Sequence, residues 1–387
     1  MFYMFIIHIL LLLSNQDINA SDIFGDDHVG RNQSFNHPKF GPIFGIRTYP
    51  VSNFVAYSAD KQTFFKPSAP YYRNTVLPQE DIDIDKAYRQ FDKLWRENHP
   101  DIACHFDNLM ATTEPRIPLV THSIWLTNLD APVELKDEFI VWFKKSCSMN
   151  LVSVGWKHYL WVQDRTKLPK TVKELEKVGV EIKEVYGVLA EESDFYGLKS
   201  NFDQEVSDSK FGRASDILRV IFLYKFGGIY RDIDFEMTRP FTGLHLAYDF
   251  YAGIEGAYSC PCNAIYGSRP GHPVLSGLLE IFLRNYDPKT TPSYILTSLN
   301  VGGELLRTLC QTGPIALGVA VKKTILSHGV ISFGLPIKDQ PDGRRDRNII
   351  FPSEVFFAYF NQGKNCDSFG WHAFTGSWLK NEFGSRG

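Results

Sequence analysis

The chain lacks an apolar run long enough to cross a bilayer. A helical span needs about 20 consecutive apolar residues, and the N-terminal stretch MFYMFIIHILLLLSNQDINA supplies about a dozen before it turns polar. There is no block of basic residues, and the formal net charge is -3, which argues against nucleic acid as a partner. Neither GxGxxG nor GxxxxGK[ST] occurs, so the glycine-rich phosphate loops of dinucleotide enzymes and NTPases are missing. No C-x2-C pair suggests structural zinc. The six cysteines are even in number, which permits disulfides without showing them, and buried thiols are the other reading. Internal repeats and low-complexity tracts are absent as well.

What is present is an ordinary globular composition, 44% hydrophobic and 22% charged, in a chain long enough for a large core. Aromatic content is high at 14%, which suits a carbohydrate-handling surface and a Phe-rich core equally. Residues 1–20 read as a signal peptide ending at small Ala20, with a short uncleaved anchor as the alternative. The expected location is therefore the secretory or exported compartment, with membrane association allowed but not required. Residues 21–110 read as an irregular, then helical, N-terminal region, with 21–80 an irregular lead or stalk or a wrapping segment held by its aromatics. Asn32-Gln33-Ser34 is a glycosylation acceptor sequence, and residues 81–98 carry Ile84, Tyr88, Phe91 and Trp95 on one helical face.

From residue 111 to 387 a single catalytic unit is expected. IPLVTHSIWLTN, starting at Ile117, has the character of a buried strand. A helix over 135–148, a strand over 159–162, a helix over 171–178 and a strand over 180–185 give the βαβ rhythm of a parallel sheet.

The most informative run is SDILRVIFLYKFGGIYRDID, from Ser215 to Asp234. Ile217, Leu218, Ile221 and Tyr224 recur at helical spacing, with Ser215 or Asp216 placed to cap the first turn. Gly227 and Gly228 are expected to stop the helix, because one of them can take a positive φ. Ile229 to Phe235 then alternates as a strand, which would put Asp232 and Asp234 on one side. Two adjacent carboxylates repel unless a cation lies between them, which points to a divalent metal.

This run, with Asp216, Arg219, Gly227, Gly228, Tyr230, Asp232 and Asp234 in register, resembles the Asp-x-Asp glycosyltransferases. Their sugar-binding segment is shared by α-1,4-galactosyl-, α-1,4-N-acetylglucosaminyl- and yeast-type α-mannosyltransferases, and the large clostridial glucosylating toxins carry a related version. The resemblance extends over residues 115–380. It implies an α/β fold of the GT-A type, a mixed and mainly parallel sheet flanked by helices. It implies a retaining transfer of a hexose or N-acetylhexosamine from a nucleotide sugar to a hydroxyl of a glycan, glycolipid or protein acceptor. UDP is the expected nucleotide, with a GDP-mannose donor or a degenerate carbohydrate- or nucleotide-binding module as alternatives.

The resemblance also assigns residues. Asp234 would hold Mn²⁺ or Mg²⁺ directly, Asp232 would lie by the ribose, the sugar or the metal, and His372, in WHAFTGSWLK, would be the third protein ligand. Asp216 and Arg219 would meet the donor sugar's hydroxyls, with Asn263 of NAIYGSRPGHP beside them and Asp232 bordering the reaction centre. Trp125 would stack on the base, Tyr230 would lie near the nucleotide, and Ser377 and Trp378 would donate to the diphosphate. His122 is read as a satisfied strand histidine, His272 as a helix cap, and Glu255 as a polar partner across the reaction centre.

Overall fold

A computed structural model of the chain describes residues 32–37, 39–46, 114–191, 197–255, 260–328, 348–351, 356–357 and 368–376. The leader expected over 1–20, the helix expected over 81–98, Ser377 and Trp378 lie outside the described residues. Within residues 21–80, read as an irregular lead or a wrapping segment, β1 (Asn32–His37) and β2 (Gly41–Ile46) form an antiparallel pair that the sequence reading did not include. Phe40, in the turn between them, is buried and joins the main core.

The main part of the fold begins with β3 (Val120–Trp125), α1 (Asp137–Met149), β4 (Lys157–Val162), α2 (Pro169–Glu176) and β5 (Val180–Glu184). The three strands are parallel neighbours, as the βαβ rhythm requires. Next come α3 (Val185–Glu191), α4 (Lys199–Ser207), α5 (Phe211–Phe226), β6 (Gly228–Arg231), β7 (Phe235–Met237) and α6 (Thr242–Ala247). The chain continues through β8 (Phe250–Glu255), β9 (Cys260–Ser268), α7 (Pro273–Tyr286), α8 (Ser293–Gln311), α9 (Pro314–His328), β10 (Asn348–Phe351) and β11 (Gly370–His372). Among the described residues no helix is long and apolar enough to cross a membrane.

The main sheet runs β10-β8-β9-β6-β3-β4-β5. Only β9 is antiparallel to its neighbours in this order, so the sheet is mixed and mainly parallel, the arrangement expected of a GT-A fold. Both faces are covered. On β4, Trp161 faces the core built by α5, α7 and α9, while Leu160 and Val162 face a second cluster built by α1 and α2. His122, inside β3, is fully buried, and burial pushes its pKa down to about 4. Its Nε2 lies 2.8 Å from the Gly227 carbonyl and its Nδ1 accepts from the Trp161 indole at 3.0 Å, so it is a satisfied strand histidine. His272 caps α7, its ring accepting from the Val274 N–H. Cys147 and Cys310 are buried free thiols.

Candidate active site

The site begins with α5. Eleven of its sixteen residues are buried, because the helix packs against the central strands β3, β6 and β9 and against α4 and α7. It starts at Phe211, a turn earlier than Ser215, so Asp216 and Arg219 are interior residues and Lys210 is the cap position. Burying an acid and a base inside a helix is costly unless each is paired. They are: Arg219 Nη2 lies 3.0 Å from Asp216 Oδ1, and Asn263 Nδ2 donates to the same oxygen at 2.8 Å. Thr312 Oγ1 donates to Asp216 Oδ2 at 2.7 Å, and Arg219 Nη1 donates to the Asn263 carbonyl at 2.5 Å. Burial pushes the Asp216 carboxyl up to about 6, against the pull of Arg219 and of the Thr312 and Asn263 donors.

Gly227 ends the helix at φ +64° and Gly228 follows at φ +102°. A Cβ on Gly227 would lie 2.6 Å from Pro270 Cδ and 2.8 Å from Pro118 Cδ, so only glycine lets the chain double back between those rings.

The strand expected over Ile229 to Phe235 is not continuous. β6 ends at Arg231, residues 232–234 form a turn with Phe235 N–H bonded to the Asp232 carbonyl at 3.1 Å, and β7 belongs to another sheet. Asp232 and Asp234 therefore converge through a turn rather than through pleat alternation. The apolar alternation misleads because β7 pairs with β11, 135 residues downstream, instead of continuing in the main sheet.

That pairing delivers His372. Its Nε2 lies 2.9 Å from Asp234 Oδ1 and 3.6 Å from Asp232 Oδ2. One ligand atom from each of Asp232, Asp234 and His372 lies within 4.8 Å of the others. Asp234 Oδ2 accepts from both the N–H and the hydroxyl of Thr375, at 2.8 and 2.7 Å. Burial alone would raise the Asp234 pKa, but His372 and the Thr375 donors outweigh it and hold the carboxyl well below the usual range. Asp232 keeps 26% of its side chain exposed and also contacts Arg219 Nη1 at 3.3 Å. Its pKa is raised by burial and by Asp234, with Arg219 and His372 opposing. Two carboxylates and an imidazole at this spacing are a suitable donor set for a divalent ion of intermediate hardness.

Tyr230 reaches the site from β6. Its ring is buried under the Arg219 guanidinium, 4.3 Å from it, and its hydroxyl donates to Asp232 Oδ1 at 2.7 Å. Trp125 sits at the carboxyl end of β3, where open α/β sheets bind ligands, half-buried, with its indole N–H on the Val133 carbonyl at 2.7 Å. Glu255 ends β8.

Three residues in the arrangement escape the sequence reading. Thr312 and Thr375 are unremarkable hydroxyls, although Thr375 stands three residues after His372 inside the string that carries the resemblance. Arg231 is fully buried over the Phe143 ring, 4.2 Å away, and donates from Nη1 to the Phe235 carbonyl at 3.2 Å. It thus closes the turn that carries both aspartates. Burial lowers its pKa to about 10.

Residues 93–251 match the family described as glycosyltransferase sugar-binding region containing DXD motif. Among curated proteins the chain is similar to Toxin Afp18 of Yersinia ruckeri, 32% identical over 90 residues, which are 22% of this chain and 4% of that protein. It is also similar to Subversion of eukaryotic traffic protein A of Legionella pneumophila, 24% identical over 230 residues, 54% of this chain and 34% of that protein. The matches thus span about a third or less of the length of these curated relatives. Among solved structures it is similar to the PaToxG glycosyltransferase, at 18% identity and a TM-score of 0.43, over 64% of this chain and 80% of that one.

Proposed function

We propose that this chain, whose residues 93–251 match the glycosyltransferase sugar-binding region containing DXD motif, moves a hexose or N-acetylhexosamine from a UDP-sugar to an acceptor hydroxyl. The acceptor is a glycan, lipid or protein, and the subfamily is that of the α-1,4-galactosyl-, N-acetylglucosaminyl- and yeast-type α-mannosyltransferases. The observation that carries this reading is a composite one. A candidate metal triad, Asp232, Asp234 and His372, adjoins a buried carboxylate–guanidinium–amide group, Asp216, Arg219 and Asn263, and the two groups are joined through the Arg219–Asp232 contact.

Transfer requires the leaving diphosphate to be neutralised and the sugar to be fixed in one orientation. Mn²⁺ or Mg²⁺, held by Asp232, Asp234 and His372, would supply the neutralising charge. Asp216 accepts from sugar hydroxyls and Arg219 donates to them, a pairing suited to a group that is both donor and acceptor. Trp125 offers an aromatic face to the base, and Ser377 and Trp378 donate to the diphosphate.

The transfer proceeds with retention of configuration, and support comes from how Asp216 is held. With Asn263, Arg219 and Thr312 all bonded to its carboxylate, it is built to orient rather than to attack. The test is donor hydrolysis with UDP-glucose, UDP-galactose, UDP-N-acetylglucosamine and GDP-mannose, with Mn²⁺ and with EDTA. Mn²⁺-dependent release of sugar from one UDP donor is expected. Release only from GDP-mannose would change the donor class, and no release from any donor would leave a binding module.

A further inference from the structure

Helix α8 is broken at Gly303, whose φ of +64° and ψ of -159° lie outside the helical region. The segment after the break carries Glu304 and Thr308, and Thr312 follows at its C-terminal cap, three polar residues spaced by four. Residues at this spacing lie on one face of a helix. All three turn to the same partner helix. Glu304 Oε2 and Thr308 Oγ1 both take the Arg213 guanidinium, at 2.7 and 3.2 Å, and Thr312 donates to Asp216 one turn further along α5. Arg213 is itself buried and also bonded to Glu205 at 2.9 Å, so the seam between the two helices is fixed at its far end by charge. Its near end is the Thr312–Asp216 hydrogen bond at 2.7 Å.

We propose that Thr312 is a positioning residue for the donor sugar: it fixes the rotamer of the Asp216 carboxylate and so decides where a sugar hydroxyl can be held. This rests on the reading of Asp216 as a sugar contact. The geometry supports it in three ways. Asp216 Oδ1 is already shared between Asn263 and Arg219, which leaves Oδ2 as the less occupied oxygen. Thr312 is the hydroxyl on that oxygen, and at 1% exposure it has no solvent-facing alternative. A carboxylate held through one oxygen can still twist about its last torsion, a broad coordinate. With Oδ1 held by Asn263 and Arg219, the Thr312 donor on Oδ2 fixes that remaining twist.

The test uses the full chain with Thr312→Val, which keeps the shape and removes the hydroxyl, Thr312→Ser, which keeps the hydroxyl, and Thr308→Val, which cuts the neighbouring tie to Arg213. Each is measured for UDP-sugar turnover, for UDP affinity with Mn²⁺ by calorimetry, and for melting. The valine variant at 312 should lose about tenfold or more in kcat/KM, the scale of a lost hydrogen bond to a charged group, with UDP affinity unchanged. The serine variant should recover most of that loss. Thr308→Val should lower the melting temperature and leave turnover at the wild-type level. If Thr308→Val loses turnover as Thr312→Val does, or if serine fails to rescue, the seam is structural and the proposal falls. If wild type is active and Thr312→Val equals it, this inference alone fails. If wild type releases no sugar from any donor, the reading of Asp216 fails and takes the inference with it.

Discussion

Conversion of Asp234 to asparagine is the sharpest perturbation of the site, because it changes charge while leaving shape. Asp234 is held on both oxygens, by His372 Nε2 at 2.9 Å on one side and by two Thr375 donors at 2.8 and 2.7 Å on the other. An asparagine can keep its carbonyl on the Thr375 donors and turn its NH₂ toward the His372 ring, so the hydrogen-bond geometry largely survives. Folding should therefore lose only the difference between charged and neutral bonds, on the order of 1 kcal/mol. Turnover is a different matter. A divalent ion needs the anionic oxygen, and a hundredfold loss corresponds to about 2.7 kcal/mol, at about 1.36 kcal/mol per factor of ten. The expected outcome is a fall of at least about a hundredfold in Mn²⁺-supported sugar release, with calorimetric Mn²⁺ binding lost and the melting temperature nearly unchanged. Wild-type activity that survives EDTA, or an asparagine variant that turns over normally, would refute the metal role.

Asp216→Ala and Arg219→Ala should each abolish most transfer while leaving UDP affinity in Mn²⁺ near wild type, since each removes a charged hydrogen bond worth roughly 1.5–3 kcal/mol from the sugar end. Parallel loss of UDP binding in folded protein would move these residues away from the sugar. Burial raises the Asp216 pKa to about 6, so the native state holds this proton more tightly than the unfolded chain. Its contribution to stability is full below the unfolded value of about 3.9 and is lost as pH rises through the folded one. Urea denaturation should show wild type losing ground to Asp216→Asn across that window and no further change above it, whereas kcat/KM, which needs the ionised acceptor, should rise over the same range. Gly227→Ala forces a side chain into φ +64° and against two proline rings; the conformation alone costs about 1–3 kcal/mol, and an unchanged denaturation midpoint would contradict the close approach.

Much of the sheet and its first helices was legible because the signals are local. The 3.6-residue apolar spacing gave α5, the glycine pair gave its stop, and short apolar runs gave β3, β4 and β5. The element ends drifted where burial extended a pattern, as at Phe211, which enters the core although nothing in the first turn marks a cap. The failures lie where a distant partner decides. Ile229, Ile233 and Phe235 alternate as a strand should, yet the segment divides between two sheets because β11 claims β7. The β1–β2 pair likewise has no strong alternation of its own, and Phe40 anchors it to a core assembled much later in the sequence. Within the site, the residues with chemical character stood out, whereas Thr312 and Thr375 act only through the carboxylates they meet.

The β7–β11 pairing also sets an order of assembly for a chain made from its N-terminus. The central strands and α5 can come together while synthesis is still under way, and the Asp-x-Asp turn then exists with two of its three candidate ligands. His372 follows Asp234 by 138 residues, so this ligand and the Thr375 donors are made well after the Asp-x-Asp turn. A nascent or truncated chain that stops short of residue 368 would display both aspartates without their imidazole and hydroxyl partners. Its two carboxylates would repel, with Arg219 and Tyr230 relieving Asp232 alone, and the candidate centre would stay incomplete until residues 368–376 had closed it.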